Sequence, residues 1–213
     1  MKRKNKLLFL SFLPVILVFL ATFFLSDQIP LHNDIFGNVT RTGSKYELYI
    51  IACIICVTGL LFYLYLNFSK IGNDQTSNSN SSESILLICL IFLNLYLILI
   101  ILKNIFSDNI SMNLNSIVFI MIGILLIILS RRIMKVPMNN IVGLRLKWTM
   151  TSDKQWKISQ IMSARYLKSM GVIILANTLF NNSKYATLIN ILILVFCSLL
   201  LFVKSYFDSI DRK

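Results

Sequence analysis

Apolar residues run along this chain in six long blocks, at residues 7–25, 48–66, 85–102, 114–130, 166–180 and 186–203, separated by polar intervals. An uncharged apolar run of about 18 residues is long enough to cross the hydrocarbon core of a bilayer as a helix. Pro14 lies inside the first block, where a kink is tolerable once neighbouring helices satisfy the freed backbone. The first block is longer than a typical signal-peptide core and no small-x-small cleavage site follows it, so it reads as a retained span. The fifth block is interrupted by Lys168 and Gly171 and rests on a further signal. Ser152 and Gln155 have the spacing of a capping box, and no proline follows them. A helix from near Asp153 to Phe180 would be about 42 Å long, enough to begin in water and then cross the bilayer. Lys168 would snorkel to the interface. The expected fold class is an all-α integral membrane protein with six transmembrane helices.

The polar intervals divide the chain. Residues 26–47 form a polar loop rich in turn formers (Pro30, Asn33, Asp34, Gly37, Gly43). Residues 67–84 are a Ser- and Asn-rich linker of a kind that cannot bury enough apolar surface to order itself. The longest polar interval falls within residues 131–165 and holds both tryptophans. The expected organisation is a two-span module at 1–66, the linker at 67–84, and a four-span module at 85–213 carrying the 131–165 loop.

Charge sets the orientation. Only 14% of the 213 residues are charged, yet the net charge is +12. With an internal N-terminus, sixteen Lys and Arg fall in the inner segments and four (Arg41, Lys45, Lys103, Lys184) in the outer ones. This asymmetry places both termini in the cytoplasm. The same explanation removes the need for a direct nucleic-acid partner, since no helix-turn-helix, zinc or single-strand-binding pattern accompanies the charge. The lipid bilayer is the expected partner of the apolar runs.

Candidate chemistry is sparse. Cys53, Cys56, Cys89 and Cys197 all lie inside apolar runs and read as small hydrophobes. One histidine, His32, with no Cys/His cluster gives no metal site, and no residue pattern asks for a cofactor. Neither His-Glu-x-x-His nor Gly-x-Ser-x-Gly nor paired intramembrane aspartates occur, so no catalytic residues are assigned and an enzyme is not expected. The alternative of a small membrane transporter or channel subunit would want acidic residues in the spans, and there are none. Asn94, Asn177 and Asn190 do fall there and are expected to hydrogen-bond between helices.

Two intervals resemble known families. Pro30, His32, Gly37, Gly43, Ser44 and Lys45 resemble the Pro-x-His…Gly…Ser-Lys loop of the DUF1648 family, with Asn33 and Val39-Thr40 departing from it. Asn139, Gly143, Arg145, Trp148, Thr149, Ser152 and Trp156 resemble the loop signature of SdpI-type immunity proteins, with Leu146-Lys147 and Ser159-Gln160 departing. The resemblance implies a membrane immunity protein guarding a bacterial cell against a secreted membrane-active peptide toxin. Pro30, His32, Gly37 and Lys45 are then candidates for toxin recognition, with His32 either a pH-responsive contact or a residue satisfying its turn. It also implies a possible second partner, a small DNA-binding repressor held at the cytoplasmic loop. Physically, Gly143 suits a tight turn and Arg145 a fork onto an oxyanion or carbonyls. Trp148 and Trp156 suit the headgroup region. Arg145 and the tryptophans could equally just fasten the loop to the membrane face and to the start of the fifth helix.

Overall fold

A computed structural model describes residues 2–68, 76–106, 114–139, 142–181 and 183–210. In chain order these form α1 (Lys2–Ala21), β1 (Gln28–Asn33), β2 (Val39–Ser44), a single 3-10 turn (Lys45–Glu47), α2 (Leu48–Phe68), α3 (Thr76–Ile105), α4 (Leu114–Ile133), α5 (Asp153–Phe180) and α6 (Ala186–Ile210). All six expected helices are present. Four stretches, Lys45–Asn67, Glu83–Ile105, Leu114–Ile133 and Ala186–Ile210, are long and apolar enough to cross a membrane. The apolar part of α1, Asn5–Ala21, is shorter. In α5, Asp153, Lys154, Lys157 and Arg165 make the first half polar, leaving only its second half apolar. Exposed Phe196, Leu199, Phe202 and Phe207 on α6 show the surface that such helices turn to lipid rather than to water.

Two elements differ from the sequence expectation. The interval 26–47 is an antiparallel hairpin, pairing Gln28 with Ser44, Ile29 with Gly43, Pro30 with Thr42, His32 with Arg41 and Asn33 with Val39, with irregularities on both sides of His32. A small sheet therefore joins the helices. The expected linker at 67–84 is helical from Thr76, while residues 69–75 lie outside those described. Extending an existing helix fixes one residue per hydrogen bond, so the apolar run beyond Glu83 carries a poor helix-forming sequence along with it.

The chain divides into two compact units, one of residues 1–74 and 86–118, the other of residues 75–85 and 119–213, so that α3 and α4 contribute to both. In the first unit Leu7, Val18, Leu48, Ala52, Ile55, Leu90 and Leu97 form the core. Gly59 of α2 lies against Ser11 of α1, where an added Cβ would come within 2.8 Å of the serine Cβ. This is the close, small-residue contact that favours helix association in lipid.

Pro14 has a defined consequence. Lacking an N–H, it leaves the carbonyl of Leu10, four residues back, without its helical donor. The buried Asn94 of α3 supplies one: its Nδ2 donates to Leu10 O at 3.1 Å and to Leu90 O of its own helix at 2.8 Å.

The second unit packs Phe119, Met170 and Ile174 against Ile193, Leu194 and Cys197. Gly171, an interruption in the apolar pattern, is a crossing point: a Cβ there would lie 2.7 Å from the carbonyl of Gly123 on α4. α5 and α6 are joined by amides, as Asn177 Nδ2 donates to Asn190 Oδ1 at 2.9 Å and Asn190 Nδ2 donates to Thr178 Oγ1 at 2.8 Å.

Candidate functional site

The two signature intervals lie in different units and are built in different ways. In the hairpin, Asp34 organises the turn. Its Oδ1 accepts from the backbone N–H of Phe36 and of Asn38, each at 2.8 Å, and its Oδ2 accepts from Asn38 Nδ2 at 2.9 Å. These bonds favour the charged carboxylate; the Asn38 side chain is the largest influence holding the Asp34 carboxyl below its ordinary range. Gly37 takes φ +92°, which closes the turn and accounts for a glycine there. His32 is exposed on β1, with Nδ1 at 2.7 Å from Thr40 Oγ1 across the strands. Pro30 is half-buried on the same strand. Lys45 is taken up by the fold: its Nζ lies 3.0 Å from Asp27 Oδ1 and donates to Leu25 O at 3.3 Å. Of the four recognition candidates, His32 presents the most polar, accessible group.

The segment between α4 and α5 is closed by side chains bonding to backbone. Asn139 Oδ1 accepts from Val142 N at 2.8 Å, and its Nδ2 donates to Pro137 O and Val142 O. Gly143 follows at φ +123°, a region that disfavours side chains. A Cβ there would stand 2.7 Å from Gln160 Oε1 and 2.8 Å from Trp156 Cη2. The fully buried Gln160 accepts from Leu144 N at 3.0 Å. The fully buried Thr149 has one hydroxyl proton, which goes to the nearer carbonyl, Leu144 O at 2.6 Å, while its oxygen accepts from Leu146 N at 2.9 Å. Ser152 caps α5 as its sequence spacing predicts, its Oγ accepting from Gln155 N at 3.2 Å.

Both tryptophans fasten this segment. Trp156 is 2% exposed and its Nε1 donates to Val136 O at 2.8 Å, tying the exit of α4 to the first turns of α5. It is a core residue rather than the headgroup-facing ring its type suggested. Trp148 packs edge-on against Phe202 at 5.3 Å and Tyr206 at 5.2 Å, and its Nε1 donates to Ser205 Oγ at 3.1 Å. Gln160 and Ser205 carry no recognisable sequence signal, because their roles depend on partners 16 and 57 residues away.

Arg145 stands apart. It is exposed and has no hydrogen bond or ion pair among the described residues. The described ion pairs, Arg41 with Glu47 and Lys45 with Asp27, both belong to the hairpin. Among the described residues no group of three or more His, Cys, Asp or Glu is placed to hold a metal.

Residues 135–206 match the family model described as the SdpI/YfhL protein family. That segment is of the SdpI/YfhL family. Its limits coincide with the fastened structure: it begins beside Val136, whose carbonyl holds Trp156, and ends at Tyr206, whose ring packs on Trp148. The immunity protein SdpI of Bacillus subtilis (strain 168) is 25% identical over 197 residues, covering 92% of this chain and 89% of the relative. No solved structure matches. The four apolar helices and these similarities make the chain a multi-pass cell-membrane protein.

Proposed function

We propose that this chain is a non-catalytic immunity protein that protects a bacterial cell against a secreted, membrane-active peptide toxin. The observation that carries this is the similarity to the immunity protein SdpI over 92% of the chain, with the SdpI/YfhL match covering the segment that Trp148 and Trp156 fasten. In this reading all six helices span the membrane, α5 by its second half, with both termini in the cytoplasm. Residues 1–66 act as a DUF1648-like module and 85–213 as the SdpI-like one. The hairpin then faces outward. Its exposed strand β2, exposed Ile35, Phe36 and Val39, and His32 give an incoming amphipathic peptide both apolar and polar contacts.

The test is membrane potential. Toxin-sensitive bacteria with and without the protein are loaded with a voltage-sensitive dye and challenged with an SDP-type peptide and with supernatant from the native strain. Expressing cells are expected to hold their potential while controls depolarise. Equal depolarisation, with the protein verified in the membrane, would refute protection against these toxins.

A further inference from the structure

The structure spends two fully buried polar side chains on holding one short piece of backbone. Leu144 N is bonded by Gln160, Leu144 O and Leu146 N by Thr149, and Leu146 O by the backbone N–H of Thr149 at 2.9 Å. The residue between them is Arg145, exposed and with no hydrogen bond or ion pair among the described residues. A guanidinium on clamped backbone is partly preorganised, so less freedom is lost when it forks onto a planar or tetrahedral oxyanion.

The surroundings identify the anion. Three residues on, Trp148 packs on Phe202 and Tyr206, near the end of α6, a helix long and apolar enough to cross a membrane. Aromatic clusters at the ends of such helices mark the level of the lipid headgroups. Lys147, Lys154, Lys157 and Arg165 are exposed in the same unit, as are Arg131 and Arg132 in the last turn of α4, and none forms an ion pair among the described residues. Among the described residues these cations therefore have no ion-paired carboxylate, in a unit whose aromatic cluster has the character of the headgroup level, where lipid phosphates are concentrated.

We propose that Arg145 binds the phosphate of an anionic phospholipid, with Lys147 as an auxiliary cation and Trp148 setting the depth. The proposal stands apart from toxin protection, since its readout is lipid retention. The full chain is reconstituted in nanodiscs of phosphatidylcholine with phosphatidylglycerol, and retained lipid is counted by native mass spectrometry. Phosphatidylglycerol is expected to be retained over phosphatidylcholine, and Arg145→Ala to lower that retention by about tenfold or more, the loss of a charge-assisted fork. Arg145→Lys restores only part of it, because an ammonium cannot fork. Lys147→Ala has a smaller effect, which disappears at high salt.

Because Arg145 is exposed and forms no hydrogen bond or ion pair among the described residues, its variants are expected to melt at the wild-type temperature. Wild-type phosphatidylglycerol retention by a folded Arg145→Ala protein overturns the proposal. So does equal retention of phosphatidylcholine, or displacement by millimolar inorganic phosphate with no preference among lipids. Arg145-dependent capture of an acidic protein without lipid preference also overturns it, assigning the surface to a protein partner.

Discussion

In the hairpin, Arg41 meets Glu47 at 2.7 Å and Lys45 meets Asp27 at 3.0 Å, while four consecutive residues of β2, Val39 to Thr42, are exposed. In the segment from Pro137 to Gln160 the pattern is reversed. There the backbone is closed by buried Thr149 and Gln160, and the cations Arg145 and Lys147 form no ion pair among the described residues. One region neutralises its charges and leaves its strand open; the other satisfies its backbone and leaves its charges open. An open strand and apolar tip suit a peptide, and open charges suit an anion. The two family-like intervals are therefore suited to different partner chemistries.

The largest expected effect tests whether the second region is the rigid one. Trp156→Ala removes a buried ring and leaves Val136 O without its donor, which costs about 3–5 kcal/mol. Gly143→Val places a branched side chain at φ +123° against Trp156 and Gln160 and is expected to be comparably severe. His32→Ala in the hairpin breaks one exposed contact and is expected to change stability by no more than about 0.5 kcal/mol. Thermal unfolding in detergent would rank them. Equal losses for Trp156→Ala and His32→Ala would erase the contrast.

A smaller effect sharpens it. Gln160→Leu keeps the volume but orphans Leu144 N, costing about 1–3 kcal/mol. Arg41→Met breaks an ion pair whose arginine side chain is 63% exposed, worth about 0–1 kcal/mol after solvent screening. Added salt should narrow the difference between wild type and Arg41→Met and leave that for Gln160→Leu unchanged. A salt-sensitive Gln160 variant would count against backbone closure as its role.

Asn94 tests whether an amide can close backbone elsewhere in the molecule. Its removal by Asn94→Ala is expected to cost about 0.6–2 kcal/mol. In a Pro14→Ala background residue 14 regains its N–H and can serve Leu10 O, so Asn94→Ala should cost less. A coupling of at least about 0.5 kcal/mol in the double-mutant cycle is expected. Strict additivity would mean that Asn94 does not act for the missing proline N–H.

What was legible in the sequence follows from where each signal is stored. The start of α5 was readable because Ser152 and Gln155 lie three residues apart, so that the serine Oγ can accept from the Gln155 N–H. The amides Asn177 and Asn190 were readable because a polar group among apolar ones needs a partner. The hairpin was not, since Pro30 interrupts β1 and neither strand has a clean two-residue alternation. Trp156 suited a headgroup or a core equally, and only the Val136 carbonyl, 20 residues away, decides between them. Thr149 was visible as a motif member, but its work is done on the backbone of Leu144 and Leu146, which sequence chemistry does not mark.

The smallest expected effect is on the hairpin turn and depends on pH. Asp34 is held below its ordinary value of 3.8, first by the Asn38 side chain and then, against opposing desolvation, by the N–H groups of Asn38, Phe36 and Gly37. A carboxyl whose folded value is depressed contributes its stability in full above 3.8 and loses it as pH falls through the lower folded value. The turn should therefore be unchanged from neutral pH to near 3.8 and loosen only below it. The Asn38 backbone amide, followed by NMR in micelles, should shift with a midpoint below 3.8. Asp34→Asn keeps an oxygen for the Phe36 and Asn38 N–H groups but carries no charge, so that shift should vanish while the hairpin persists. A midpoint at or above 3.8 would mean that these bonds do not prefer the carboxylate, leaving Gly37 as the main determinant of the turn.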